Sequence, residues 1–361
     1  MSETVTGRAA AASTPPRYAT YAADPRTGRD VVLAVWREGG FTAAGPGGDG
    51  ARYDWFYLRN PEGPAQVNLL ESAEDGRPIG CLGVGPRRFV VRDRVVAGGM
   101  LVDFVVHPEH RTALPALTLQ RAGRQRALES MQILYGLPDK KAVMVFKRLG
   151  GQVHFELPSY SRVVRCRNYL GRHVPAFLAA PLGALIDAID ALGCRIRLAI
   201  GPNVGCWLDD FDERFDTLWN AFDKTGRCIG VRDRAFLRWR FGAQPGHTYR
   251  IFGVMPRGSN ALRMYFICEV CDRSLIVKDC LCLGSENEVT QALLMLAMQA
   301  RAEGLQVVHL QIAAADRFRR ALRRAQFVQR SARPFFAMLD ESLAAEAADA
   351  SWYITQADED V

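Results

Sequence analysis

The sequence predicts an α/β fold built as two units, each a mixed, mostly antiparallel sheet flanked by helices. Three observations carry that reading. The chain has 361 residues, more than one ordinary core accommodates. Its apolar content of 48% with 24% charged residues suits a chain that buries a core. The order of strand and helix patterns in the first part also begins again near residue 209, after a long apolar stretch of different texture.

The first seventeen residues have no apolar run behind a basic start, so they read as a leader outside the fold. Residues 18–22 pattern as a short strand and 28–39 as a helix closed by a glycine pair. A Gly-rich loop leads to a short aromatic helix at 53–58. Strand signals follow at 66–71, 79–84, 89–96 and 101–106, separated by Gly, Asp and Pro. Apolar residues at helical spacing mark 114–131, then 131–137 returns to strand and 140–149 to helix. The order is βα, an antiparallel run, then βαβα, assigned to a first unit at 18–161.

Residues 162–208 read as a linker. Within it 174–192 is almost wholly apolar, interrupted by Pro175, Pro181, Asp187 and Asp190, which argues against a membrane span. The reading adopted is a bridging helix packed between the units. The alternative is a peripheral membrane contact, an interfacial helix flanked by Arg165, Arg167, Arg172, Arg195 and Arg197. A second unit at 209–340 has helix patterns at 212–222, 234–241, 288–303 and 317–325, with strands at 249–254, 264–270, 275–283 and 307–312. The acidic segment 341–361 reads as a loose tail. Two landmarks recur: Trp55 and Trp239 each precede a proline by six residues, and Asp103 and Asp279 hold equivalent places in the element order. This is a repeat of architecture rather than of sequence.

Forty-six basic residues stand against 39 acidic ones, and nearly all the basic ones are arginine. They are spread along the chain without a stripe of interleaved aromatics, so the charge points to anions in general and to no specific nucleic acid. Nine cysteines, an odd count, lie in strand-like runs and predict free thiols in a reducing compartment, hence a cytoplasmic location. A metal site is not expected. Cys268 and Cys271 would alternate to opposite faces of a strand, and the second site, Cys280-x-Cys282, does not repeat the Cys-x-x-Cys spacing. His107 and His110 straddle a proline in a turn.

The most informative stretch runs from Leu101 to Leu117. A strand ends, a turn follows, and a helix opens near Leu114 with Arg111 beside it. Unpaired N–H groups and the helix dipole make such a start a diphosphate cradle. Val106-His107-Pro108-Glu109-His110-Arg111, continuing through Thr112, Ala113, Leu114, Pro115 and Ala116, resembles the acyl-CoA motif of the GNAT (N-acetyltransferase) superfamily. The resemblance spans about 19–160, with a degenerate second copy beyond it. It implies an acyl-CoA-dependent N-acyltransferase with acetyl-CoA or another acyl-CoA as donor and an unidentified amine as acceptor.

The resemblance further implies that the backbone of Val105, Val106 and His107 meets the pantetheine arm, while Arg111, Thr112, Ala113, Leu114, Pro115 and Ala116 wrap the pyrophosphate. Leu114 stands where the motif has its first glycine, and Phe146 where the family often has a tyrosine acid. Asp103 and Tyr135 are the candidate base and replacement acid. In the second unit Glu286 and Glu288 would face the pyrophosphate, so CoA is expected on the first unit only. Two other readings stay open: a non-catalytic binding module, and a FemAB-like aminoacyl transferase. A bacterial envelope or exopolysaccharide setting is an implication of the resemblance alone.

Overall fold

The structure is a computed structural model describing residues 17–42, 47–138, 143, 147, 152–166 and 175–360. The first half contains β1 (Tyr18–Ala23), α1 (Arg29–Glu38), and α2 (Gly48–Tyr53), which runs into a π-helical turn at Asp54–Leu58. Then come β2 (Gln66–Ser72), β3 (Pro78–Val91), β4 (Arg94–Val106), α3 (Ala113–Leu128), β5 (Ile133–Gly136) and β6 (Gln152–Val163). The strand expected over 89–96 is corrected. It straddles a hairpin whose turn residues, Arg92 and Asp93, both have positive φ, 45° and 69°. A two-residue turn of that hand suits the twist of antiparallel strands, but without glycine the sequence hides it.

After α4 (Ala176–Ala199) the second half holds β7 (Asn203–Leu208), α5 (Glu213–Ala221), β8 (Arg227–Gly230) and α6 (Arg234–Leu237), which runs into a second π-helical turn at Arg238–Gly242. It continues with β9 (Tyr249–Pro256), β10 (Met264–Cys271), β11 (Ser274–Cys282), α7 (Glu286–Ala302), β12 (Val307–Ala313), α8 (Asp316–Arg324) and β13 (Val328–Leu339). The chain closes with α9 (Glu341–Ala348) and β14 (Ser351–Thr355).

These strands form one sheet in the order β1-β2-β3-β4-β5-β13-β6-β12-β11-β10-β9-β7. Read from either end, the pairing is the same. Three antiparallel steps lead to a parallel one (β4 with β5, β11 with β12), then to antiparallel steps that meet between β13 and β6. The last strand of each half is exchanged: β6 lies against β12, and β13 lies against β5. Parallel pairing brings in a helical crossover on each side, α3 before β5 and α7 before β12, as this topology requires.

Two expectations are corrected here. The segment after Asp340 is not loose. β14 pairs in parallel with β8 and antiparallel with β12, and Thr355 and Asp358 are buried. Asp358 accepts from Arg232 Nη2 at 2.5 Å and from Arg87 Nη2 at 3.1 Å, so its charge is neutralised inside rather than solvated. Acidic composition suggested solvent, whereas buried guanidinium groups supply the partner. Nor is α4 enclosed between the halves. It packs on α7 and leaves its other face exposed. No helix among the described residues is long and apolar enough to cross a membrane.

Candidate active site

The pairing of β3 with β4 runs from Val91 opposite Arg94 to Gly80 opposite Val106, with a register slip between Cys81 and Gly83. The extra residue on β4 forms a bulge that places Asp103 at φ 49°. A side-chain residue held there costs about 1–3 kcal/mol and bends the strand. β4 pairs with β5 only from Gly98 to Met100. Beyond the bulge, the β5-facing edge of β4 has no strand against it among the described residues. Hydrogen bonding between the two strands thus stops three residues before Asp103.

The side chain of Asp103 is fully buried, and its oxygens accept from Arg52 Nη2 at 2.7 Å and from the Tyr57 hydroxyl at 2.9 Å. Asp360, from the end of the chain, accepts from the Asp103 backbone N–H at 3.2 Å and from Arg52 at 2.6 Å. Burial pushes the Asp103 carboxyl up to about 6. Arg52 opposes that rise and the Asp360 charge adds to it. Tyr57 is held well above the usual phenol range, by burial first and then by Asp103. A carboxylate that titrates near neutrality is suited to proton transfer.

At the end of β4, the His107 N–H donates to Ile79 O at 2.7 Å, which keeps the strand on β3. The turn Pro108–His110 then leads to α3, whose N-cap, Thr112, makes no side-chain capping bond. Pro115 has no N–H, so Ala113, Leu114 and Ala116 carry the first-turn amides. Leu114 is 57% exposed at this start. The picture of Arg111 aimed at the start of α3 is corrected. Its Nε donates to Val106 O at 2.9 Å and its Nη2 to Gly39 O at 2.5 Å. Arg111 thus clips the end of α1 to the end of β4. Gly39 is small for the same reason, since a Cβ there would lie 2.0 Å from Val105 Cγ1.

Val105 and Val106 are buried on β4. Tyr135 is in register with Met100, its ring between Phe89 and Phe335. Its hydroxyl is buried with no hydrogen-bond partner among the described residues, and burial holds it well above the ordinary phenol range. Asp103 and the start of α3 are thus gathered on one strand end, while Tyr135 faces the core. Phe146 lies outside the described residues. The sequence reading missed Arg52, Tyr57 and Asp360. The aromatic helix was visible, but its approach to Asp103 was not.

The second half repeats the bulge and closes it. The register of β10 with β11 slips between Ile267 and Cys268. Asp279 there accepts from Arg232 at 3.1 Å, the Tyr265 hydroxyl at 2.7 Å and the Thr355 hydroxyl at 2.6 Å. β14 fills the opening: Thr355 is in register with Ile312, and the Tyr353 hydroxyl donates to Cys280 O at 2.6 Å. The start of α7 is sealed by a capping box of Ser285 with Glu288, and Glu286 pairs with Arg320 and Arg324. In the same half, Cys268 is buried and Cys271 exposed, on opposite faces of β10.

The fold as a whole is shared with solved structures. A GCN5-related N-acetyltransferase from Kribbella flavida superposes with a TM-score of 0.61 at 14% identity, covering 92% of this chain and 74% of that one. The chain has the GNAT fold. A tandem GNAT protein from the clavulanic acid biosynthesis pathway gives 0.51 at 13% identity, with 89% of this chain and 98% of that one covered. The N-myristoyltransferase of Saccharomyces cerevisiae with bound myristoyl-CoA gives 0.53 at 10% identity over 92% and 81%. No protein-family model matches the sequence, and no curated protein matches it.

Proposed function

We propose that the chain is an acyl-CoA-dependent N-acyltransferase whose donor lies along β4 of the first half. One observation carries the reading: of two equivalent bulges, the second is filled by the chain's own β14, and among the described residues no strand fills the first. Neighbouring structures, a GCN5-related N-acetyltransferase and an N-myristoyltransferase with bound myristoyl-CoA, support the donor class.

In this reading residues 18–161 and 203–340 are two copies joined through 162–202, with their last strands exchanged and the segment after Asp340 serving as a strap. The pantetheine arm extends along the open edge of β4 at Val105, Val106 and His107. The diphosphate meets the first-turn amides of Ala113, Leu114 and Ala116, where the dipole favours an anion. Thr112 and Pro115 shape that turn, and Arg111 fixes the strand end it starts from. The acceptor amine loses a proton to Asp103 and attacks the thioester carbonyl. The C–S bond then breaks and CoA leaves as a thiol after taking up a proton.

The buried side chain of Asp103 and the Asp360 carboxylate on its N–H favour a second reading, a binding module without turnover. One experiment separates the two: calorimetric titration with acetyl-CoA, followed by thiol release with a panel of amines. Binding with turnover supports the transferase, binding alone the module, and no binding overturns both.

A further inference from the structure

Helix α4 is amphipathic in the inverted sense. Its carboxylates point inward: Asp190 accepts from Arg162 at 2.9 Å and Arg301 at 2.5 Å, and Asp187 accepts from the Cys166 N–H at 2.8 Å. Its outward face is apolar, with Leu182, Leu185, Ile186, Ile189, Leu192 and Ile196 each 37–63% exposed. A surface helix ordinarily buries its apolar stripe and solvates its charges. Such a face on a helix of 24 residues exceeds the scattered apolar exposure normal for a monomer.

Arginines gather beside this face, and of these Arg319, Arg320 and Arg324 are ion-paired to Asp316 or Glu286. Arg197 donates to Arg324 O at 3.1 Å, which sets the C-terminal end of α4 beside α8. On α8, Arg319, Arg320, Arg323 and Arg324 are exposed. Neither Arg195 nor Arg323 has a carboxylate at ion-pair distance among the described residues, and α4 offers none on its outer face.

We propose that this face docks on an anionic lipid bilayer, with α4 lying in the interfacial plane, Leu185 and Ile189 among the acyl chains, and Arg195 and Arg323 at the phosphates. A second copy of the chain fits less well. The exposed face is broader than a coiled-coil seam, is flanked by Ala and Gly instead of paired charges, and would set arginines where no acid answers them. This inference does not depend on the transferase reading.

The test is flotation of the full chain with vesicles of phosphatidylcholine alone and of phosphatidylcholine mixed equally with phosphatidylglycerol. Wild type is expected to float with the anionic vesicles and to be released by high salt. Leu185→Glu with Ile189→Glu should abolish flotation. Arg195→Glu with Arg323→Glu should weaken binding by about tenfold or more. All four positions are exposed, and melting curves check the fold of each pair. The charge pair keeps the test decisive should the apolar pair misfold. Wild type that floats with neither vesicle overturns the proposal, as does flotation indifferent to these substitutions. A dimer that Leu185→Glu dissociates, without vesicle binding, assigns the face to a second copy instead.

Discussion

Trp55 and Trp239 exchange hydrogen bonds: each indole N–H donates to the other's backbone carbonyl, at 2.8 and 3.0 Å, with the rings stacked 5.1 Å apart. Each sits in a π-helical turn at the equivalent place of its half. A repeat found as a spacing in the sequence thus becomes a contact about which the sheet order is mirrored.

Trp239→Phe keeps most of the ring but leaves the Trp55 carbonyl without its donor. Loss of that bond and part of the stack should cost about 2–3 kcal/mol. Because β6 and β13 are exchanged, unfolding in denaturant should remain a single transition at lower midpoint. Two separate transitions would contradict the interlock.

Asp358→Ala should be more severe. Asp358 neutralises Arg232 and Arg87, both buried, and its removal leaves two guanidinium groups short of a partner. Breaking such a buried pair costs about 3–5 kcal/mol. The thermal midpoint should fall far more than for Asp349→Ala, whose carboxylate is almost fully exposed.

How much of this was legible follows from what sets each feature. The Trp55 and Trp239 spacing, the place of Asp103 and the strand–turn–helix at 101–117 are local patterns, and they could be read. β6 and β13 could not: Pro158 and Pro334 interrupt their alternation, and their partners lie in the other half. Asp360 reaches Asp103 across 257 residues, a distance no local period encodes. The tail's acidity was visible, but its meaning depended on buried arginines elsewhere.

Tyr135→Phe should leave transfer unchanged and hold or slightly raise stability. The hydroxyl is buried with no partner among the described residues, so deleting it removes an unmade bond rather than a made one. A large fall in kcat with stability intact would instead restore Tyr135 as the acid.

The pH dependence of kcat/KM should show an acid limb near 6, activity rising as Asp103 ionises. The Asp360 charge helps to raise that value, so Asp360→Asn should move the limb to lower pH. A limb unmoved in this variant would remove Asp103 from the base role.

Leu114→Glu separates folding from donor binding by sign. Leu114 is exposed in the first turn of α3, so the substitution empties no core. A carboxylate in that turn complements the helix dipole and should stabilise the fold by about 0.3–1 kcal/mol. The same charge would repel a diphosphate on the first-turn amides, at a cost of about 1 kcal/mol or more at contact distance even in water. Acetyl-CoA affinity should therefore fall by about tenfold or more while the thermal midpoint holds or rises. Glu286→Ala at the start of α7 should leave affinity unchanged, because that helix start is closed by its own capping box. If Leu114→Glu binds acetyl-CoA as wild type does, the diphosphate does not sit at α3, and the donor must be sought elsewhere on the sheet.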